Sequence, residues 1–214
     1  MTSEWQIGGG DATFRDDWPD QPTPVLTEWL PDNNDPARPL MVVSTLDESG
    51  APDGRTQLLT AWDDAGFYLH TDSRARKVAQ LARDPRISLT MHLPADAHQI
   101  TVQGVASVAD AAELEWAFEH RSPYLQQLAW QNTIEFASLP KLDRVSAWEA
   151  FQADHPEGFT PPPTWTGFLV RPTRLTFWVG STVTASRRVE YSRPASALSE
   201  PIDTSDWTVT SLAG

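Results

Sequence analysis

Cysteine is absent from the 214 residues. Its absence excludes disulfides, thiolate zinc sites and cysteine nucleophiles together, and fits a reducing compartment, so a cytoplasmic location is expected. Positive charge is scarce: 16 Lys and Arg face 29 Asp and Glu, a formal net charge of -13. That balance argues against a nucleic-acid partner, which needs an extended basic face. No stretch approaches the roughly 20 apolar residues of a membrane span, so no membrane partner is expected. The opening "MTSEWQIGGGDATFRDDWPD" has no basic start followed by an apolar run, so no secretory signal is visible. Histidine is sparse and scattered, at 70, 92, 98, 120 and 155. With no metal spacing and no nucleophile elbow nearby, neither a metal site nor a hydrolase is expected.

What is present is a strand-rich chain. Residues 1–20 are polar, Gly-rich and aperiodic, and read as a mobile arm; residues 21–214 read as one domain. "PVLTEWL" makes a short helix. "LMVVSTL", "RTQLLTAW" and "FYLHT" form a meander of short strands, separated by the turns "DESGAPDG" and "DDAG". "RISLTMHL" and "HQITVQGVASVA" resume the strand pattern. "AAELEWAFEHR", "SPYLQQLAWQ" and "DRVSAWEAFQADH" are helical, and "TGFLVRP", "RLTFWVG", "RRVEYSR" and "DWTVTSL" close the chain as four more strands. The class is mainly β with helices (α+β), a decorated barrel.

The scarce cations cluster. In "HTDSRARKVAQLARDP", Arg74, Arg76 and Lys77 crowd what reads as the start of a helix, capped by Thr71, Asp72 or Ser73. Val78, Leu81 and Ala82 make its apolar face, leaving Arg76, Lys77, Gln80 and Arg83 off it. Cations are unfavourable at the positive end of a helix dipole and call for a compensating anion. A phosphate would serve, and so would surface carboxylates; on charge alone both readings stay open.

From about residue 24 onward the chain resembles the pyridoxamine 5'-phosphate oxidase family of FMN-binding split β-barrels. The carrying segments are "AWDDAGFYLHTDSRARKVAQLARDPRISL", "HQITVQGVASVADAAELEWAFEHRSP", "PPPTWTGFLVRPTRLTFWVG" and "RRVEYSR". The resemblance implies FMN as cofactor. Arg55 matches the family's arginine to the flavin phosphate, and the strand after it, with Gln57 and Leu58, lies along the isoalloxazine. Thr71, Arg76 and Lys77 match the rest of the phosphate clamp, with His70 beside them. Gln99 matches a ring contact, and Gln131, Trp178 and Arg188 match the later flavin contacts. A cation such as Arg188 near the reduced ring would favour hydride acceptance.

The substrate side departs from the family. Thr60 stands where the family has lysine, Ala117 for a tyrosine, Leu125 for a serine, and Ser211 for the closing arginine. Thr184 and Ser186 replace the arginine and histidine of its "R-L-H-D-R" segment, here "TASRR"; Arg121 persists. The expected activity is therefore an FMN-dependent oxidoreductase whose small-molecule substrate is not pyridoxine or pyridoxamine phosphate. No side chain is assigned as catalytic, because the cofactor carries the hard step. A noncatalytic flavin- or haem-binding protein and a deazaflavin (F420) reductase are the alternatives on the same fold. The resemblance further implies a homodimer with FMN at the subunit interface, and "SPYLQQLAWQN" suits an interface helix.

Overall fold

The β-branched run at Leu40–Leu46 forms strand β1, whose alternate residues Met41, Val43 and Thr45 point inward and are buried. This register recurs through a computed structural model that describes residues 17–93 and 97–214. Among these residues the chain gathers into two compact units within the span expected to be one domain. The first holds the described residues up to Leu69, with those of Arg76–Ser107 and Phe168–Gly214; the second holds His70–Ala75 and Val108–Gly167.

The described residues form one sheet of nine strands. They are β1, β2 (Pro52–Leu58), β3 (Ala61–Asp63), β4 (Gly66–Asp72), β5 (Arg86–Leu93), β6 (His98–Val108), β7 (Trp165–Val179), β8 (Arg187–Ser192) and β9 (Thr208–Ala213). The first unit holds this sheet apart from the ends of β4, β6 and β7, which fall in the second. The hydrogen-bonded order is β2-β1-β5-β6-β7-β4-β3, with β8 joined to β7 and β9 to β8. Antiparallel pairing holds β1 to β2 and β5, β5 to β6, β3 to β4, β7 to β8 and β8 to β9. Helices α1 (Thr23–Trp29) and α2 (Arg76–Arg83) accompany it. The buried core runs through Met41, Val43, Phe67, Leu89, Ile100, Phe177 and Tyr191, with Val25 and Leu26 of α1 pressed into it. Each such side chain contributes about 1.5–3 kcal/mol.

Three expectations are corrected here. "RTQLLTAW" is two strands, because the backbone changes partner between them: Leu59 N–H donates to the Pro39 carbonyl at 3.1 Å and Thr60 N–H to the Tyr68 carbonyl at 3.0 Å. "TGFLVRP" and "RLTFWVG" are one strand of 15 residues, β7, which passes through Pro172; the Pro172 carbonyl takes a hydrogen bond from Nε of buried Arg193 at 2.8 Å. The buried side of α2 is also rotated from the one expected: Gln80 and Leu81 are buried, whereas Ala82 is exposed. The mobile arm lies mostly outside the described residues. At its end Trp18 packs on Trp29 and Phe177, and Tyr191 Oη donates to the Pro19 carbonyl at 2.8 Å.

The second unit is helical: α3 (Ala111–Glu119), α4 (Pro123–Gln131), α5 (Ile134–Ala137) and α6 (Lys141–Ala153). Asp110 caps α3 through Glu113 N, Ser122 caps α4 through Leu125 N, and Thr133 caps α5 through Phe136 N. Trp165 is its pin. The indole stacks on His70, meets Phe118 edge-on and donates from Nε1 to the Leu114 carbonyl at 2.9 Å.

In the first unit Gly104 lies against the backbone of β7, and a Cβ there would overlap the Arg171 carbonyl. Backbone cannot move aside as a side-chain tip can. Gly104→Ala is expected to destabilise by about 1–3 kcal/mol, a drop in melting temperature of roughly 2–12 °C by calorimetry. An unchanged midpoint would contradict the close approach.

Candidate cofactor site

The β1–β2 register sets Thr45 opposite Asp53 and Val43 opposite Arg55. Because side chains alternate with period 2, Asp53, Arg55 and Gln57 share the inward face of β2, while Leu58 falls on the other. β2 is an edge strand, where inward-pointing charges are a common device against further pairing. Helix α2 packs on β1 and brings Arg76 and Gln80 to the same place.

The result is a converging set of donors. Arg55 Nη2 reaches Asp53 Oδ2 at 2.7 Å, Arg76 Nε reaches the same oxygen at 3.0 Å, and Gln80 Nε2 donates to it at 2.8 Å. Arg55 is further fixed through Nη1 to Thr45 Oγ1 at 2.6 Å and the Val43 carbonyl at 3.3 Å, and through Nη2 to Gln80 Oε1 at 3.0 Å. Thr45 Oγ1 in turn donates to Gln80 Oε1 at 2.6 Å. The hydrogen bond from Gln80, then the charges of Arg55 and Arg76, hold the Asp53 carboxyl below its usual range against the opposing effect of desolvation. Lys77, half-buried, follows Arg76 in the first turn of α2.

Arg74 does not join this group. It lies before α2 and pairs with Asp72 at 2.7 Å, while Asp72 Oδ1 also accepts from Arg74 N at 2.7 Å. The expected cluster of three cations on one helix is thus divided, because a carboxylate two residues away captures the first.

The later flavin positions form a second group. Trp178 on β7 and Arg188 on β8 are direct cross-strand partners, half-buried and exposed respectively. Gln99 lies on β6, beside β7 in the sheet, with Nε2 to Thr101 Oγ1 at 3.3 Å. Three strands, β1, β5 and β6, stand between β2 and β7 in the hydrogen-bonded order.

His70, Thr71, Arg121 and Gln131 belong to the second unit. Gln131 is occupied there: Oε1 accepts from Gln127 Nε2 at 2.7 Å and Nε2 donates to the Ala147 carbonyl at 3.3 Å, bracing α4 on α6. Thr71 is half-buried at the end of β4. Arg121 lies over the Trp165 ring at 4.6 Å, and burial lowers its pKa to about 10, leaving it charged at neutral pH. The His70 side chain is fully buried, and desolvation, helped by the Arg121 charge, lowers its pKa to about 3. At neutral pH His70 is therefore an uncharged ring, and its 3.8 Å approach to Glu113 Oε1 is no ion pair.

A family profile described as Pyridoxamine 5'-phosphate oxidase matches residues 32–150. A pyridoxine/pyridoxamine 5'-phosphate oxidase of Azorhizobium caulinodans is 31% identical, over 90% of this chain and 91% of its own. The chain belongs to the pyridoxamine 5'-phosphate oxidase family. A second member, from Rhodopseudomonas palustris, is 30% identical over 96% of this chain and 93% of its own. Solved structures similar in fold are PhzG from Burkholderia lata 383 in complex with tetrahydrophenazine-1-carboxylic acid, and a pyridoxamine 5'-phosphate oxidase-related, FMN binding protein from Nostoc punctiforme. The first has a TM-score of 0.75 at 21% identity, covering 96% of this chain and 100% of that one. The second has 0.59 at 17%, covering 82% and 87%. The fold is the split barrel of the pyridoxamine 5'-phosphate oxidase family, as the family resemblance implied; the strand pattern by itself indicated a barrel decorated with helices.

Within this family member, the altered substrate-side positions present no cation. Thr60 donates its backbone N–H to the Tyr68 carbonyl at 3.0 Å. Thr184 is exposed in a turn where its N–H donates to Ser181 Oγ at 3.1 Å, and Ser186 is half-buried next to β8. Three residues of the cluster around Arg55 are not among the expected site residues: Thr45, Asp53 and Gln80, the last of which the helical pattern puts off the apolar face. The i, i+2 spacing of Asp53 and Arg55 was visible; that this face turns inward beneath a helix was not.

The His70 environment gives a pH test. Its pKa falls from 6.5 in the unfolded chain to about 3 in the folded one. Its stabilising effect is then full above about pH 6.5 and is lost as pH falls toward 3. Between pH 6 and 4, urea unfolding should show the wild type losing up to about 1.4 kcal/mol more per pH unit than His70→Gln. Equal slopes would refute it.

Proposed function

We propose that this protein is an FMN-binding oxidoreductase that acts on a small molecule other than pyridoxine or pyridoxamine 5'-phosphate. The observation that carries the reading is the convergence of Arg55, Arg76 and Gln80 on one anionic oxygen, with both arginines at the family's phosphate-binding positions. The carboxylate oxygen of Asp53 stands in for an oxygen of a phosphate monoester, so the donor set fits such a group. Planar guanidinium forks suit a phosphate, and Arg55 is anchored from behind by Thr45, the Val43 carbonyl and Gln80, so its orientation does not depend on the anion.

Bound FMN would supply two-electron redox chemistry between a small organic donor and an acceptor such as oxygen. The chain's own residues bind and orient. Arg55, Arg76, Lys77 and Thr71 hold the phosphate end; Gln57, Gln99 and the backbone of Leu58 border the ring; Trp178 and Arg188 close on it, Arg188 favouring the negative charge of the reduced state. Arg121, Thr184 and Ser186 border the substrate. Replacing three family cations and polar groups by Thr60, Thr184 and Ser186 removes charge-assisted hydrogen bonds of about 1.5–3 kcal/mol each. A doubly charged vitamin phosphate would bind orders of magnitude more weakly. That PhzG holds tetrahydrophenazine-1-carboxylic acid, a molecule without phosphate, supports a substrate of that kind on this fold.

The working unit in this reading is a homodimer with FMN at the subunit interface. Two features favour it. The residues matched to one FMN divide between β2 with α2 and β6–β8, on opposite sides of β1 and β5 in the strand order. Helix α6 buries none of its residues in the single chain, and Leu142 and Val145 on it are 78% and 47% exposed. Apolar surface of this kind normally has a partner.

Purified protein should show an oxidised-flavin absorbance spectrum, and mass spectrometry of the released chromophore should identify FMN instead of haem or a deazaflavin. Arg55→Ala should weaken FMN binding by about 10- to 150-fold in a fluorescence titration. Colourless protein that does not bind added FMN would overturn the reading, and turnover of pyridoxine 5'-phosphate at about 1–10 per second would overturn its substrate clause. Sedimentation should give a dimer for the wild type and a monomer for the double change Leu142→Asp, Val145→Asp; a flavin-loaded wild-type monomer would refute the assembly.

A further inference from the structure

Asp53 is the residue in the phosphate cradle that nothing in the phosphate-binding role requires. Its side chain is 20% exposed, yet its Oδ2 collects Arg55, Arg76 and Gln80, and Oδ1 lies 3.4 Å from Arg76 Nη2. The arginines differ in how they are held. Arg55 keeps Thr45, the Val43 carbonyl and Gln80 whether or not a carboxylate is present. Arg76 is 77% exposed, and among the described residues its guanidinium contacts only Asp53. A phosphate monoester placed on these donors would meet a carboxylate within contact distance, and two anions cannot share one set of donors without strong repulsion.

We propose that Asp53 is a resident counter-anion: it occupies the cradle in the cofactor-free chain, holds Arg76 over it, and must yield its contacts to an incoming phosphate monoester. The inference rests on the flavin reading only for the identity of that monoester. The exchange is feasible on charge grounds. A phosphate monoester carries about -1.5 to -2 at neutral pH and offers three acceptor oxygens, against one charge and two oxygens on Asp53. The carboxylate is short and partly solvent-facing, so rotation about χ1 releases it to water while Arg55 stays in place. The device keeps the two guanidinium groups from being left uncompensated before loading, and it weakens the loaded state by the amount needed to displace the carboxylate.

The test uses the full chain, stripped of any bound flavin, as wild type and Asp53→Asn. The asparagine keeps the size and one acceptor but removes the charge. In chloride buffer the variant should melt below the wild type. Inorganic phosphate, added at matched ionic strength, should raise its melting temperature by several degrees more than it raises that of the wild type. FMN should bind the variant about tenfold more tightly, whereas riboflavin, which lacks the phosphate, should bind both proteins equally.

Equal phosphate responses in the two proteins, or weaker FMN binding to the variant, would overturn the proposal. A larger phosphate response with no FMN binding by either protein would uphold the counter-anion and overturn the flavin reading. FMN binding of equal strength in both would do the reverse. Asp53→Ser is the second variant, with the same outcomes expected. Should both variants be insoluble, the carboxylate is an obligatory part of the fold and its displacement is overturned.

Discussion

The pairing of β1 with β2 on one side and β5 on the other is the constraint on which the candidate site depends. Val43 sits opposite both Arg55 and Leu89, so one register simultaneously buries the apolar face of β1 and turns Asp53 and Arg55 inward. A slip of one residue would send those charges to solvent and expose Met41 and Val43. The core and the cradle are therefore not separable features. The hydrophobic burial that fixes β1 also fixes the position of a guanidinium that contributes little to it.

Helix α2 adds the second constraint. Its Leu81 anchors it to the core, and its Gln80 reaches a polar patch that Thr45 and Arg55 supply. A buried glutamine without partners would be destabilising by about 1–3 kcal/mol; here both of its polar atoms are engaged. The amide is the hinge of the cluster, accepting from Thr45 and Arg55 through Oε1 and donating to Asp53 through Nε2. Arg76 follows because it lies one turn before Gln80 on the same helix.

The second unit manages its polar groups differently. His70 is kept neutral by burial against Trp165, and Arg121 keeps its charge by lying over the same indole. One tryptophan thus serves both an uncharged ring and a cation, through stacking on one and a cation–π contact with the other. Other tryptophans among the described residues also act as links. Trp18, Trp29, Trp130 and Trp165 each join elements distant in the chain by ring packing or an indole hydrogen bond.

Much of the fold was legible from local pattern. The β-branched run of β1, the helical repeats of α3, α4 and α6, and the turn residues before β2 and β4 announce themselves at short range, where period and turn chemistry decide. Arg55, Arg76, Trp178 and Arg188 stand in the family's order in the sequence, and the proposed cofactor site starts from that order. Tertiary structure alone decided that Arg74 is taken by Asp72, that "TGFLVRP" and "RLTFWVG" are one strand, and that Gln80 is buried. It alone decided that Asp53 lies among the arginines. The reason is physical: period 2 states which residues share a face, but only strand pairing and a covering helix determine whether that face meets water, the core or another charge.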